Sequence, residues 1–287
     1  MSSIQQTMSL ARLKQIDPGH PGIDLLTGET PLFACQSDQR FSSCLYVPRD
    51  IDTTRRHPLV IAVHGTGRDA MNYRDGLADF AEAHQCIVLA PLFPAGIEDR
   101  NDVDNYKLID YHGIRYDLVL LDMVAEAAHR WPITTDRFYL HGFSGGGQFA
   151  LRFLYLHPDR LAGVSVAAPG RTTLIDPEKP WPEGTADLPD RFSTPLDLDA
   201  LRAVPVQLLI GEADTQPHPL TGRTRVAGIT ELRDNLQDNG IETALNTVPD
   251  KAHDGMALLP TATRFLHEVL IAGASASHGK SPTESAS

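Results

Sequence analysis

Short, continuous apolar runs alternate along this chain with stretches whose apolar residues recur at helical spacing. Pro58-Leu59-Val60-Ile61-Ala62-Val63-His64 is such a run, rich in β-branched residues, and it predicts a strand buried on both faces. Residues 86–91, 138–141, 161–168 and 204–211 read the same way, and 242–248 supplies a last strand. Helices are expected between them. One passes through Leu77, Phe80, Ala81 and His84. A second covers 116–130, with Leu118, Leu121, Val124, Ala125 and Ala128 near helical spacing. Others cover 148–156, 223–237 (closed by a C-cap signal at Asn239-Gly240) and 256–271. Strand and helix in alternation imply right-handed crossovers. The expected fold class is α/β, a mostly parallel sheet with helices on both faces.

The remaining segments read as connections. Residues 1–30 hold turn signals and form an irregular arm. Residues 32–35 and 43–48 form an N-terminal antiparallel edge hairpin. The polar loop 92–111 is long enough to shape a pocket rim. Residues 170–200 are proline-rich, contain Trp181, and read as an excursion over the sheet edge. Residues 272–287 are small and polar and read as a disordered tail. One domain, 31–271, is expected, with no internal repeat and no second core.

Composition narrows the setting. A chain of 287 residues, 41% hydrophobic and 22% charged, can bury a large single core. Its net charge of −12 argues against binding nucleic acid or an anionic membrane through general electrostatics. No apolar run is long enough to span a bilayer, and the polar N-terminus lacks the marks of a secretory signal. The expectation is a cytoplasmic protein. Cys35, Cys44 and Cys86 make no disulfide framework and no metal spacing. Cys35 and Cys44 could pair across the hairpin; in this setting all three are expected to be buried thiols.

The chemistry concentrates at Gly142-Phe143-Ser144-Gly145-Gly146. A strand runs into it and a helix follows, the context in which a G-x-S-x-G turn presents a serine nucleophile. Serine needs a base, and the base needs an orienting acid. Asp214 lies just past strand 204–211, with Glu212 as competitor. His253 lies past strand 242–248 and ahead of the last helix, with His218 as runner-up. The order along the chain is then nucleophile Ser144, acid Asp214, base His253. An oxyanion needs backbone donors. Gly145, after the serine, supplies one, and the loop His64-Gly65-Thr66-Gly67 supplies the other from Thr66, or from Gly67. Arg68, Tyr106, Phe143, Arg171 and Trp181 are the candidate pocket residues. Arg68 and Arg171 would bind a substrate carboxylate or else form surface salt bridges. Trp181 would cap a substrate group or else anchor its loop.

His64-Gly65-Thr66-Gly67, the serine turn, and Asp214 followed by His253 together resemble the α/β-hydrolase superfamily of serine hydrolases over residues 40–271. The compact domain, with Arg68-Asp69 after the first motif, is similar to the esterase, polyhydroxyalkanoate-depolymerase and feruloyl-esterase-like branch. The resemblance implies hydrolysis of carboxylic esters with no metal or organic cofactor. The chain departs from secreted depolymerases in lacking a signal and a substrate-binding module, so small or oligomeric rather than polymeric esters are expected. The partner it implies is a small-molecule ester. The oligomeric state stays open, a homodimer included. A serine at the turn disfavours dehalogenases, which use aspartate, and cysteine-dependent dienelactone hydrolases. An amidase or peptidase, or a non-catalytic binding protein of the same fold, are the alternatives.

Overall fold

The computed structural model describes residues 20–219 and 222–278. A short 3-10 helix, Pro21–Leu25, leads into β1 (Gly28–Glu29) and β2 (Phe33–Ala34), both antiparallel to β3 (Ser42–Val47). β4 (Leu59–Val63) follows, then helices α1 (Ala70–Gly76) and α2 (Ala78–His84), then β5 (Ile87–Leu92). A two-stranded ribbon, β6 (Asp110–Tyr111) with β7 (Ile114–Arg115), precedes α3 (Tyr116–Arg130). The chain continues through β8 (Phe138–Phe143), α4 (Gly145–Leu156) and β9 (Leu161–Ala167). Two short helices, α5 (Leu188–Phe192) and α6 (Leu198–Arg202), come before β10 (Val206–Gly211), α7 (Arg225–Asp238), β11 (Thr243–Val248) and α8 (Gly255–His278).

The main sheet has the order β1-β3-β5-β4-β8-β9-β10-β11, with β2 also on β3. From β5 to β11 every pairing is parallel. β4 and β8 are buried at every residue, as continuous apolar runs require when both sheet faces are covered. Both faces are indeed covered. Neighbouring residues of a strand point to opposite sides. On β8, His141 meets Tyr73 of α1, while Gly142 lies against the backbone of α4.

Several expectations need correction. The arm does not extend to residue 30, because β1 pairs with β3 through Gly28↔Val47; the part before residue 20 lies outside the described residues. The helix expected through 77–84 is α2, and a separate helix, α1, precedes it. A side chain at Gly76 would strike Met256 and Leu259 of α8, at 2.6 and 2.7 Å, so α8 packs onto the backbone where α1 ends. In α3 the buried stripe is Tyr116, Val119, Leu120, Met123, Val124 and Ala127, and Leu118 is 45% exposed. Tyr116 sets that stripe by packing on Phe41 and Phe93, with centroids 5.4 and 5.5 Å apart. The last helix continues past Ile271 to His278, so the expected tail is helical at its start. Residues 279–287 lie outside the described residues. Cys35, Cys44 and Cys86 are buried free thiols. Among the described residues no helix is long and apolar enough to cross a membrane.

Candidate active site

Ser144 joins β8 to α4 with φ 56° and ψ −108°, a conformation that costs a non-glycine residue strain. The surroundings impose it. The Ser144 N–H donates to the Ala167 carbonyl at 2.8 Å, and the Ser144 carbonyl accepts from the Gln148 N–H at 3.0 Å. A Cβ on Gly142 would overlap the Gly146 carbonyl, and one on Gly146 would overlap the Val63 carbonyl. Strand and helix therefore touch backbone to backbone, which only glycine allows.

His253 sits in the loop between β11 and α8. Its Nε2 is 2.9 Å from Ser144 Oγ and its Nδ1 2.7 Å from Asp214 Oδ2. A carboxylate only accepts, so Nδ1 carries the proton and Nε2 is left to accept from the serine hydroxyl. Asp214 follows β10 and is 2% exposed. Its other oxygen accepts from Arg225 Nη1 at 3.2 Å. Burial alone would raise the Asp214 pKa. The hydrogen bond from His253 and the charges of His253 and Arg225 outweigh burial and hold it below the ordinary carboxylate value. The two competitors stand apart from this chain of bonds. Glu212 is exposed, and His218 lies beside Gly170.

The loop after β4 passes next to the serine: a Cβ on Gly65 would stand 3.7 Å from that of Ser144. Its geometry is fixed from below. The Phe93 N–H donates to His64 Nε2 at 3.0 Å, so the His64 proton is on Nδ1, which faces the Gly65 carbonyl at 2.8 Å. Burial lowers the His64 pKa to about 4, so the ring is neutral at physiological pH. The Tyr106 hydroxyl donates to the His64 carbonyl at 3.0 Å. Thr66 and Gly67 are exposed at the turn, and Gly145 opens α4, where the first N–H groups have no partner within the helix.

The candidate pocket residues divide. Phe143 lies against the base, its ring centroid 4.6 Å from that of His253. Among the described residues Arg68 forms no salt bridge. Its guanidinium donates to the carbonyls of Thr66, Phe93 and Val103 and to Asn105 Oδ1, and lies 5.2 Å over the Tyr106 ring. It clamps loops together. Tyr106 is fully buried beneath the His64 loop. Trp181 is a loop anchor, with its Nε1 donating to the Leu108 carbonyl at 2.8 Å and its ring edge-on to Phe192. Arg171 is half-buried at the start of the 170–200 segment. Sequence reasoning missed Arg225, and it named His64 in the loop motif without its buried supporting role. Arg225 follows an N-cap threonine, which locates a helix start and says nothing about a carboxylate across the loop.

No known family profile matches the chain, and no curated protein sequence matches it. Solved structures do. Poly(aspartic acid) hydrolase-1 from Sphingomonas sp. KT-1 is 24% identical with a TM-score of 0.68, over 83% of this chain and 98% of that one. The poly(3-hydroxybutyrate) depolymerase LpqC from Bordetella parapertussis is 24% identical with a TM-score of 0.63, over 85% of each chain. An S-formylglutathione hydrolase from Agrobacterium tumefaciens is 17% identical with a TM-score of 0.57, over 83% of this chain and 93% of that one. The neighbours are thus hydrolases of the esterase and depolymerase branch, and the chain has the α/β-hydrolase fold.

Proposed function

We propose that this chain is a serine hydrolase that cleaves carboxylic esters, small or oligomeric, through an acyl-enzyme intermediate. One observation carries the reading: Ser144 Oγ, both nitrogens of His253 and the Asp214 carboxylate form one unbroken line of hydrogen bonds, 2.9 and 2.7 Å long. Ser144 Oγ attacks the ester carbon as His253 Nε2 takes its proton. Asp214 stabilises the imidazolium that results. The amides of Gly145 and of Thr66 receive the oxyanion, each donor worth roughly 3–4 kcal/mol of barrier. His253 then protonates the leaving alcohol, and a water molecule repeats the cycle on the acyl-enzyme. The chemistry needs neither metal nor organic cofactor. The buried free thiols of Cys35, Cys44 and Cys86 agree with a reducing, cytoplasmic setting.

A fluorophosphonate probe tests the nucleophile directly. The wild type is expected to be labelled at Ser144, and Ser144→Ala to be unlabelled and inactive on p-nitrophenyl esters. A wild type that resists the probe under conditions that label other serine hydrolases overturns the reading. Turnover of p-nitroanilides in preference to the esters would favour the amidase.

A further inference from the structure

In a protein of net charge −12, one side of Ser144 is cationic. Lys107 is only 5% exposed, and its Cε lies 2.8 Å from where a Cβ of Gly145 would stand, so its side chain runs against the residue after the serine. Asp104 holds its ammonium at 2.5 Å. Arg171 lies within electrostatic reach of Lys107, Asp104, Arg152 and His218. Arg152 is fully buried on α4. Its Nε donates to Thr173 Oγ1 at 2.9 Å and its Nη1 to the Lys107 carbonyl, but its Nη2 has no partner. A buried N–H without an acceptor is costly, and a charged one more so.

Arg152 and Arg171 line a cavity of about 250 Å³, together with Gly170, Lys179, Glu183 and Arg223. The carboxylates nearby are mostly taken. Asp176 pairs with Lys179, Glu231 with Arg223, and Asp104 with Lys107. Glu183 is the acidic group left facing the two arginines, and one carboxylate does not balance two guanidiniums. The cavity also adjoins the serine's helix. Gln148 and Arg152 follow Ser144 at i+4 and i+8, on one helical face, and a Cβ on Gly170 would lie 3.1 Å from Gln148 Nε2.

We propose that this cavity is an acid-recognition subsite in which Arg171, backed by Arg152, binds a free carboxylate of the substrate. This rests on the esterase reading and gives it a substrate class: esters that also carry a carboxylate. The helix rise sets the length. Eight residues from Ser144 to Arg152 span about 12 Å, so the ester carbon and the carboxylate are separated by a long spacer. Methyl half-esters of straight dicarboxylic acids from adipate to sebacate sample spacers up to about that span, which is an upper limit because helix side chains lean back toward the N-terminus, and their dimethyl esters lack the anion.

The test compares kcat/KM for each half-ester with that for its diester. The wild type is expected to favour the half-ester by about tenfold at one or more chain lengths, as a charge-assisted contact supplies. Arg171→Met should bring the ratio to about one and Arg171→Lys should keep part of it. The ratio cancels any loss common to both substrates. Equal or better use of the diester at every length, or a preference unchanged in Arg171→Met, overturns the proposal. Calorimetry with suberate on Ser144→Ala reads the subsite without turnover. Binding that weakens about tenfold when Arg171→Met is added supports it, and no binding at millimolar suberate overturns it. Loss of all ester turnover with suberate binding intact would sink the esterase reading and leave the subsite standing.

Discussion

Asp214 is the residue on which the geometry of the proposed triad turns. It is buried, it fixes the His253 tautomer, and it is held ionised by His253 and Arg225 despite burial. Asp214→Asn keeps the shape but lets an amide N–H face the ring, which favours the wrong tautomer. Steady-state kinetics on a p-nitrophenyl ester should then show kcat lower by about 10³–10⁴, with KM little changed. An Asn variant within tenfold of wild type would remove Asp214 from the mechanism. The positions of Ser144, Asp214 and His253 were legible because each stands just past the carboxyl end of its own strand, where an α/β sheet collects its chemistry. Arg225 was not, because its contact with Asp214 crosses from a helix start to a loop eleven residues earlier. Arg68 misled for a related reason. A guanidinium in a loop can as well bond carbonyls as carboxylates, and nothing local in sequence says which.

At the scale of elements, the buried strands were legible to within a residue or two, since a strand covered on both faces reads as a short continuous apolar run rich in β-branched residues. The helices were less so. α3 ended where expected, yet its stripe was rotated, because several apolar residues lie off the buried face and tertiary contacts at Tyr116 chose among them. That helix has a charged anchor the pattern did not reveal. Asp117, in its first turn and completely buried, accepts from Arg115 at 2.6 and 2.9 Å and pairs with His157 at 2.8 Å. Burial raises its pKa, and the bonds from His157 and Arg115 more than reverse that, leaving it below the ordinary value. A carboxylate with a lowered folded-state pKa stabilises the protein above its unfolded value of about 3.9 and loses that contribution as pH falls through the folded value. Asp117→Asn should therefore cost about 2–3 kcal/mol at pH 7, with the gap to wild type narrowing below about pH 4. Thermal unfolding across that range measures it, and a gap that widens in acid would contradict the assignment.

For the whole molecule, the sheet was readable as a topology, while the ends and the substrate side were not. Loop 92–111 and the segment from 170 to 200 are ordered by scattered long-range contacts, such as Trp181 to the Leu108 carbonyl and Asn235 to the backbone of Ile175, which have no periodic signal. The C-terminal helix shows the same limit and allows a clean test. Its buried residues are Leu258, Leu259, Ala262 and Leu266, and residues 271–275 are exposed. Folding draws its free energy from the former, since burial of apolar area dominates. A chain cut after Ile271 should unfold within about 2–4 °C of the full chain and keep its fluorophosphonate labelling. A cut after Pro260 removes Ala262 and Leu266 from beneath β9 and β10, which α8 covers, and should yield no cooperative unfolding. If the first cut proved as damaging as the second, the approach of Gly273 to the Tyr139 hydroxyl would have to carry far more stability than an exposed turn supplies.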